Sequence, residues 1–249
     1  MWARAPGWAC ETCDAQFPDH EGYVDFLPEV DEPPQSGFGP RAMHNPIFAR
    51  VYEGLWRPLY TSVARGAPAD PQLELWWILD QLRKAEGKTI VDLSCGPGVI
   101  GRRLAQSGRF AAVVGIDYSK QMLRRCLDHC AVEGTRGFAL ARGDAAALPL
   151  GDRSMGAIHA GNALHLWPEI PESLEQVRRV LEPGGVFVAT TFIHAPGWRG
   201  RSSRRFAQAV DARFFDPGEL RIECEAAGLV EYAEKVEGSA IWLRAEAPR

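Results

Sequence analysis

The stretch Ile90-Val-Asp-Leu-Ser-Cys-Gly-Pro-Gly-Val-Ile-Gly-Arg-Arg-Leu104 decides the fold. It opens as a short apolar run, passes through a glycine-rich turn and continues with helix-forming residues. Gly96, Gly98 and Gly101 satisfy G-x-G-x-x-G, a pattern that carries meaning only between a strand and a helix, which is where it stands here. Glycine is needed because the chain turns sharply and a ligand must approach bare backbone.

Beyond this turn, apolar runs alternate with helical periodicity. Strands are expected at Thr89–Leu93, 112–117, 138–142, 157–160 and 186–192, with helices at 99–106, 120–132 and 172–181 between them. Such alternation means parallel strands joined by crossover helices, with both faces of the sheet covered. The ending differs. Asp216-Pro-Gly-Glu219 reads as N-cap, N1 proline and N3 glutamate of a last helix that stops at Gly228. Runs at 229–236 and 240–245, separated by Glu237-Gly-Ser239, fit a terminal antiparallel hairpin. The fold class is therefore α/β: a Rossmann-like, seven-stranded, mostly parallel sheet with a C-terminal antiparallel hairpin.

Upstream lies an N-terminal helical cap, residues 41–86. Asn45-Pro46 supplies an N-cap and a proline at the first helical position. Phe48, Tyr52, Trp56 and Tyr60 follow at every fourth residue, with Val51, Leu55 and Leu59 beside them, and Pro58 is expected to kink or divide the helix. A second helix is expected from Pro71 to Lys84. Residues 1–40 are rich in turn formers and read as an irregular appendage and linker, leaving 87–249 as the main domain.

The 249 residues are 46% hydrophobic and 24% charged, which provides a core and excludes global disorder. A net charge of −4 weighs against a partner bound by phosphate neutralisation, so no nucleic acid is expected. No run approaches the ~18 apolar residues of a membrane-spanning helix, and the N-terminus lacks a secretory apolar region. The expectation is a reduced, cytosolic protein, or a plastid one if a targeting segment precedes this sequence.

Two chemistries use a glycine turn followed by an acid at the end of the next strand. That acid is Asp117, 16 residues beyond Gly101, placed to accept both hydroxyls of a ribose. A dinucleotide brings a pyrophosphate, which wants amides and no carboxylate nearby. S-adenosylmethionine (SAM) brings an ammonium and a sulfonium, so acids near the turn help. Asp92 precedes the glycines and Asp144 follows the third strand, and three strand-terminal acids favour SAM.

The sequence resembles class I SAM-dependent methyltransferases of the ubiquinone/menaquinone-biosynthesis type. The matching text is Val91-Asp-Leu-Ser-Cys-Gly-Pro-Gly, Gly115-Ile-Asp-Tyr-Ser-Lys-Gln-Met-Leu, Gly143-Asp-Ala-Ala-Ala-Leu-Pro-Leu and Arg179-Val-Leu-Glu-Pro-Gly-Gly, over about residues 86–245. It is similar more narrowly to plant and cyanobacterial members with a cysteine-rich N-terminus, through His159-Ala-Gly-Asn-Ala-Leu-His-Leu-Trp-Pro and Phe187-Val-Ala-Thr-Thr-Phe. The resemblance implies that Ser94, Gly96 and Gly98 pass under the methionine end, with Asp92 orienting its ammonium directly or through water. It implies that Asp117 holds the ribose, that Tyr118 and Met122 pack near the adenine, that Asp144 accepts from its amino group, and that Ala145 offers a backbone amide. Asn162 to His165 follow the fourth strand, where the family exposes groups toward the transferred methyl.

The implied reaction moves a methyl group to a small, apolar or aromatic acceptor by direct displacement, giving S-adenosylhomocysteine. His165 is the candidate base, because histidine accepts a proton near neutral pH; the other reading is a packed, hydrogen-bonded side chain. Tyr52 and Trp56 are candidate substrate contacts, or simply core. Rivals from other classes are an NAD(P)-dependent oxidoreductase and a SAM-binding regulatory protein without turnover. Cys10-x-x-Cys13 reads as a degenerate half of a zinc ribbon: structural zinc needs four ligands, His20 offers a third, and no fourth is evident. A thioredoxin-like pair is disfavoured without strand and helix around it. Cys95 reads as a small residue that fits the turn or as a reactive thiol. The arginines at 199, 201, 204 and 205 read as a solvated loop or as a lid that attracts anions.

Overall fold

β-branched and small apolar residues dominate the central strands, as expected where a sheet is covered on both faces. The computed structural model describes residues 8–9, 16–17, 22–27, 30, 42–66, 68, 70–194 and 213–249. Cys10, Cys13, His20 and the arginines of 199–205 lie outside the described residues. Ten strands are described: β1 (Trp8–Ala9), β2 (Gln16–Phe17), β3 (Val24–Asp25), β4 (Thr89–Leu93), β5 (Ala112–Asp117), β6 (Phe138–Arg142), β7 (Met155–Gly161), β8 (Leu181–Phe192), β9 (Val230–Glu237) and β10 (Ala240–Glu246). β1 and β2 form a separate antiparallel pair. The others make one sheet of eight in the order β3-β6-β5-β4-β7-β8-β10-β9. Pairings from β3 through β8 are parallel, and β10 runs antiparallel to both its neighbours.

The sheet has eight strands where seven were expected. The extra one, β3, comes from the stretch read as an appendage, and a buried ion pair holds it in place. Arg142, at the end of β6, reaches Asp25 Oδ2 at 3.3 Å and donates from Nε to the Tyr118 carbonyl at 2.9 Å. It also donates to the carbonyls of Leu27 and Val30. Asp25 is 0% exposed and Arg142 1%. A pair this deep persists only where hydrogen bonds satisfy the remaining donors, and these backbone carbonyls do so.

Asn45 caps α1 (Pro46–Val51) as expected, its side chain accepting from the amides of Ile47 and Phe48. A π-helical turn, Tyr52–Trp56, leads into α2 (Arg57–Arg65). Pro58 explains the turn: it has no N–H to give the Gly54 carbonyl, and its ring crowds that carbonyl, so the ladder widens by one residue. The aromatic rings pack along one edge, Phe48 on Trp56 with centroids 5.4 Å apart and Tyr60 on Phe192 at 4.6 Å. Val51, Leu55 and Leu59, expected to flank a buried face, are exposed together with Ile47 and Val63.

α3 (Pro71–Gln81) tightens into a 3-10 turn, Leu82–Ala85. α4 (Gly101–Gln106), α5 (Lys120–Glu133) and α6 (Ile170–Val180) are the crossover helices. α7 (Glu219–Ala226) starts later than expected, with Gly218 at the cap; the Glu219 carboxylate accepts from the Asp216 amide at 2.7 Å. Ile78, Leu82, Ile90, Leu104 and Val188 build the core on one face of the sheet. Val91, Ile158, Leu174, Phe187 and Leu243 build the larger core on the other.

Candidate functional site: a cleft at the strand carboxyl ends

From β4 the chain winds outward through β5 and β6, then crosses back to place β7 on the other side of β4. Opposite windings leave a crevice at the carboxyl ends of β4 and β7, where open α/β sheets take their ligands. The turn after β4 shapes its floor. Ser94 and Gly96 take left-handed backbone, with φ of 56° and 55°, which turns their main chain toward the crevice. A Cβ on Gly96 would meet nothing within 4 Å among the described residues, so this glycine borders the cleft. The other two serve packing instead: a Cβ on Gly98 would lie 2.4 Å from Cys126 Sγ, and one on Gly101 would lie 2.4 Å from Phe138 Cζ.

Asp117 ends β5 and closes this turn. Its Oδ2 accepts from the Gly96 amide at 2.7 Å and its Oδ1 from the Ser119 amide at 2.8 Å. Burial nevertheless pushes its carboxyl up to about 6, against the pull of those two amides. Asp144 follows β6, with Oδ1 accepting from the Ala146 amide at 2.9 Å. Tyr118 stands at the edge under the Arg142 guanidinium, 5.5 Å from the ring centroid. After β7, Asn162 has φ of 53°, and its amide reaches Thr190 Oγ1 at 2.9 Å. Trp167 donates from Nε1 to Ser94 Oγ at 2.9 Å, tying the wall after β7 to the turn after β4.

These groups line one cleft that opens to solvent. Of the expected residues, Tyr52, Ser94, Gly96, Asp117, Tyr118, Met122, Asp144, Ala145 and Asn162 line it. Met43, His44, Leu166 and Trp167 line it too, and the sequence reading missed them. The clue for Trp167 was present, since it stands in the quoted run after β7 as a residue with one donor to place. Nothing local marks Met43 and His44.

Asp92, Gly98, Trp56 and His165 do not line the cleft. Asp92 is turned away from it, with Oδ1 2.7 Å from His159 Nδ1. Trp56 packs between Phe48 and Tyr60. The structure does not bring His165, the candidate base, to the cleft. Its Nδ1 lies 3.2 Å from Thr191 Oγ1, its ring rests against Phe192 and Tyr60, and burial lowers its pKa to about 3. So weak a base, away from the cleft, is a packed side chain. Cys95 is buried as well, and burial holds its thiol well above the ordinary range, which makes it a small neutral residue fitting the turn.

No lysine or arginine among the described residues lines the cleft, whereas two carboxylates do. His44 is kept neutral by burial and by Arg142. That donor set suits a cationic ligand with hydroxyls and an amino group to offer. It does not suit a pyrophosphate.

Comparison with known proteins agrees. The profile of the Methyltransferase domain family Methyltransf_25 matches residues 90–185. The Arabidopsis thaliana "Uncharacterized methyltransferase At2g41040, chloroplastic" is 31% identical over 253 residues, covering 97% of this chain and 70% of that protein. The chain belongs to the class I SAM-dependent methyltransferases. The "2-phytyl-1,4-naphtoquinone methyltransferase" of Thermosynechococcus vestitus is 34% identical over 121 residues, 47% of this methyltransferase and 51% of that one. In three dimensions, a Haemonchus contortus phosphoethanolamine N-methyltransferase 2 solved with SAM shares the fold, with a TM-score of 0.70 and 14% identity over 87% of this chain and 61% of that one. No helix among the described residues of this methyltransferase is long and apolar enough to cross a membrane, and no metal-holding cluster occurs among them.

Proposed function

We propose that the cleft seats SAM and that the enzyme methylates a small, apolar or aromatic acceptor by direct displacement. The observation that carries this reading is the pairing of Asp117 and Asp144 in one cleft that no lysine or arginine among the described residues lines. Asp117, already oriented by two amides, accepts the ribose hydroxyls on its remaining lone pairs. Met122 and Ile116 give the adenine an apolar floor, Tyr118 its edge, and Asp144 and the Ala145 amide its polar contacts. Ser94 and Gly96 border the methionine end, and Asn162, Leu166 and Trp167 the end where the methyl emerges.

When bound, SAM supplies an already activated methyl group on its sulfonium. The protein's share is alignment and exclusion of water, and alignment alone can supply ~7–11 kcal/mol in favourable cases. Met43, Tyr52, Leu166 and Trp167 make the acceptor side apolar and aromatic. The naphthoquinone named for the Thermosynechococcus relative is of that chemical kind. With its weak basicity His165 takes no proton here, so His165→Gln should leave the shape of the pH–rate profile between pH 6 and 8 unchanged. Loss of a limb near neutrality in that variant would restore His165 as the base.

Calorimetric titration with SAM and S-adenosylhomocysteine tests the seat. Transfer of labelled methyl to a panel of phenols, quinols and fatty acids tests the acceptor. Absence of binding to folded protein would sink the cofactor assignment. Binding with no transfer to any acceptor of the panel would favour a regulatory protein without turnover.

A further inference from the structure

Asp92 and His159 are register partners on the neighbouring strands β4 and β7, 67 positions apart in sequence. Both are sealed from solvent, at 2% and 1% exposure. A carboxylate only accepts, so the proton of a neutral imidazole sits on Nδ1, donating to Asp92 Oδ1 across 2.7 Å. The opposite nitrogen, Nε2, is buried with no hydrogen-bond partner among the described residues. Its edge of the ring faces Gly161: a Cβ there would lie 2.8 Å from Cε1 and 3.2 Å from Nε2. Gly161 lines the cleft. On the far side, Asp92 Oδ2 is 2.6 Å from where a Cβ of Gly101 would stand. The pair is thus wedged one layer behind the wall of the cleft, in the space that two missing side chains leave.

Resting on the cofactor assignment above, we propose that His159 is a positioning residue of the methionine subsite, holding the Asp92 carboxylate behind Gly161 so that its negative charge favours the ammonium of the cofactor's amino-acid end. Asp92 itself does not reach the cleft, so its influence passes through the bare backbone of the wall. A carboxylate in that position needs a dedicated donor, because a buried charge left unpaired is strongly unfavourable. The bond from Nδ1 supplies the donor, and the absence of side chains at Gly161 and Gly101 supplies the room.

The test compares two ligands on the full chain by calorimetry: S-adenosylhomocysteine, and 5′-methylthioadenosine, which shares the adenosine but lacks the amino-acid end. In His159→Leu the carboxylate loses its donor, and S-adenosylhomocysteine should bind roughly tenfold more weakly, a factor that corresponds to about 1.4 kcal/mol. Affinity for 5′-methylthioadenosine should stay at the wild-type value. His159→Asn sets an amide N–H near the position of Nδ1 and should restore most of the lost affinity. Asp92→Asn removes the charge while keeping the shape, and should reproduce the selective loss even if the leucine variant does not fold. Equal weakening of both ligands would show a merely structural pair and overturn the proposal, as would full S-adenosylhomocysteine affinity in Asp92→Asn. A wild type that binds neither ligand overturns the cofactor assignment, a result distinct from both.

Discussion

Asp117→Ala should bind S-adenosylhomocysteine about 100-fold more weakly or worse, since two hydrogen bonds to a charged group are worth roughly 1.5–3 kcal/mol each. The substitution also releases the Gly96 amide, which Asp117 holds at 2.7 Å, so the turn beneath the methionine end loses its clamp. Calorimetry on the variant, with its fold checked by circular dichroism, gives the comparison. A loss smaller than about tenfold in folded protein would remove Asp117 from the ribose subsite.

The same carboxylate sets a pH dependence whose sign is fixed. Its pKa in the fold is about 6, raised from 3.8 by burial. Between those values the folded protein holds a proton that the unfolded chain releases, so this group makes the fold more stable as pH falls through that window and less stable as pH rises through it. Ribose hydroxyls prefer the ionised form, so ligand affinity moves the other way. It should be flat above pH 7 and weaken progressively below about 6. Binding and stability measured from pH 8 to 5 should therefore diverge, and Asp117→Ala should abolish the divergence.

Gly98→Ala should destabilise the fold by about 2–5 kcal/mol, combining left-handed strain of roughly 1–2 with overpacking of roughly 1–3. Gly98 has φ of 79°, and its added methyl would lie 2.4 Å from Cys126 Sγ and 3.2 Å from Phe138 Cε1. The closer neighbour, Cys126, has little room to yield, because it is fully buried in α5. Gly96→Ala is the control: its φ is also positive, but a Cβ there meets nothing within 4 Å among the described residues. Only the strain remains, about 1–2 kcal/mol. Urea unfolding of the two variants should separate them clearly. Equal stability would mean that the packing between the glycine turn and α5 is looser than the structure shows.

The contrast between these two glycines marks the limit of what the motif conveyed. G-x-G-x-x-G located the turn, because strand, turn and helix are contiguous and each leaves a local signature: an apolar run, residues free to turn, a helical period. The cap at Asn45, the terminal hairpin and the acids at 117 and 144 were legible for the same reason. They are short-range features whose residue types answer to backbone geometry at that very position. The motif did not say that Gly96 borders the cleft while Gly98 and Gly101 make room for Cys126 and Phe138, since those neighbours come from other elements.

By itself, the sequence determined the α/β architecture, the methyltransferase family and most of the polar residues that line the cleft. Only the tertiary structure decided which polar groups face the cleft and which are spent elsewhere. Asp92 read as a direct contact of the cofactor until β7 placed His159 beside it, and His165 read as a base until Phe192 and Tyr60 enclosed it. Asp25 read as part of a linker until Arg142 drew it into the sheet. In each case the deciding partner is distant in the chain, and the free energy of a buried charge depends on that partner rather than on its sequence neighbours.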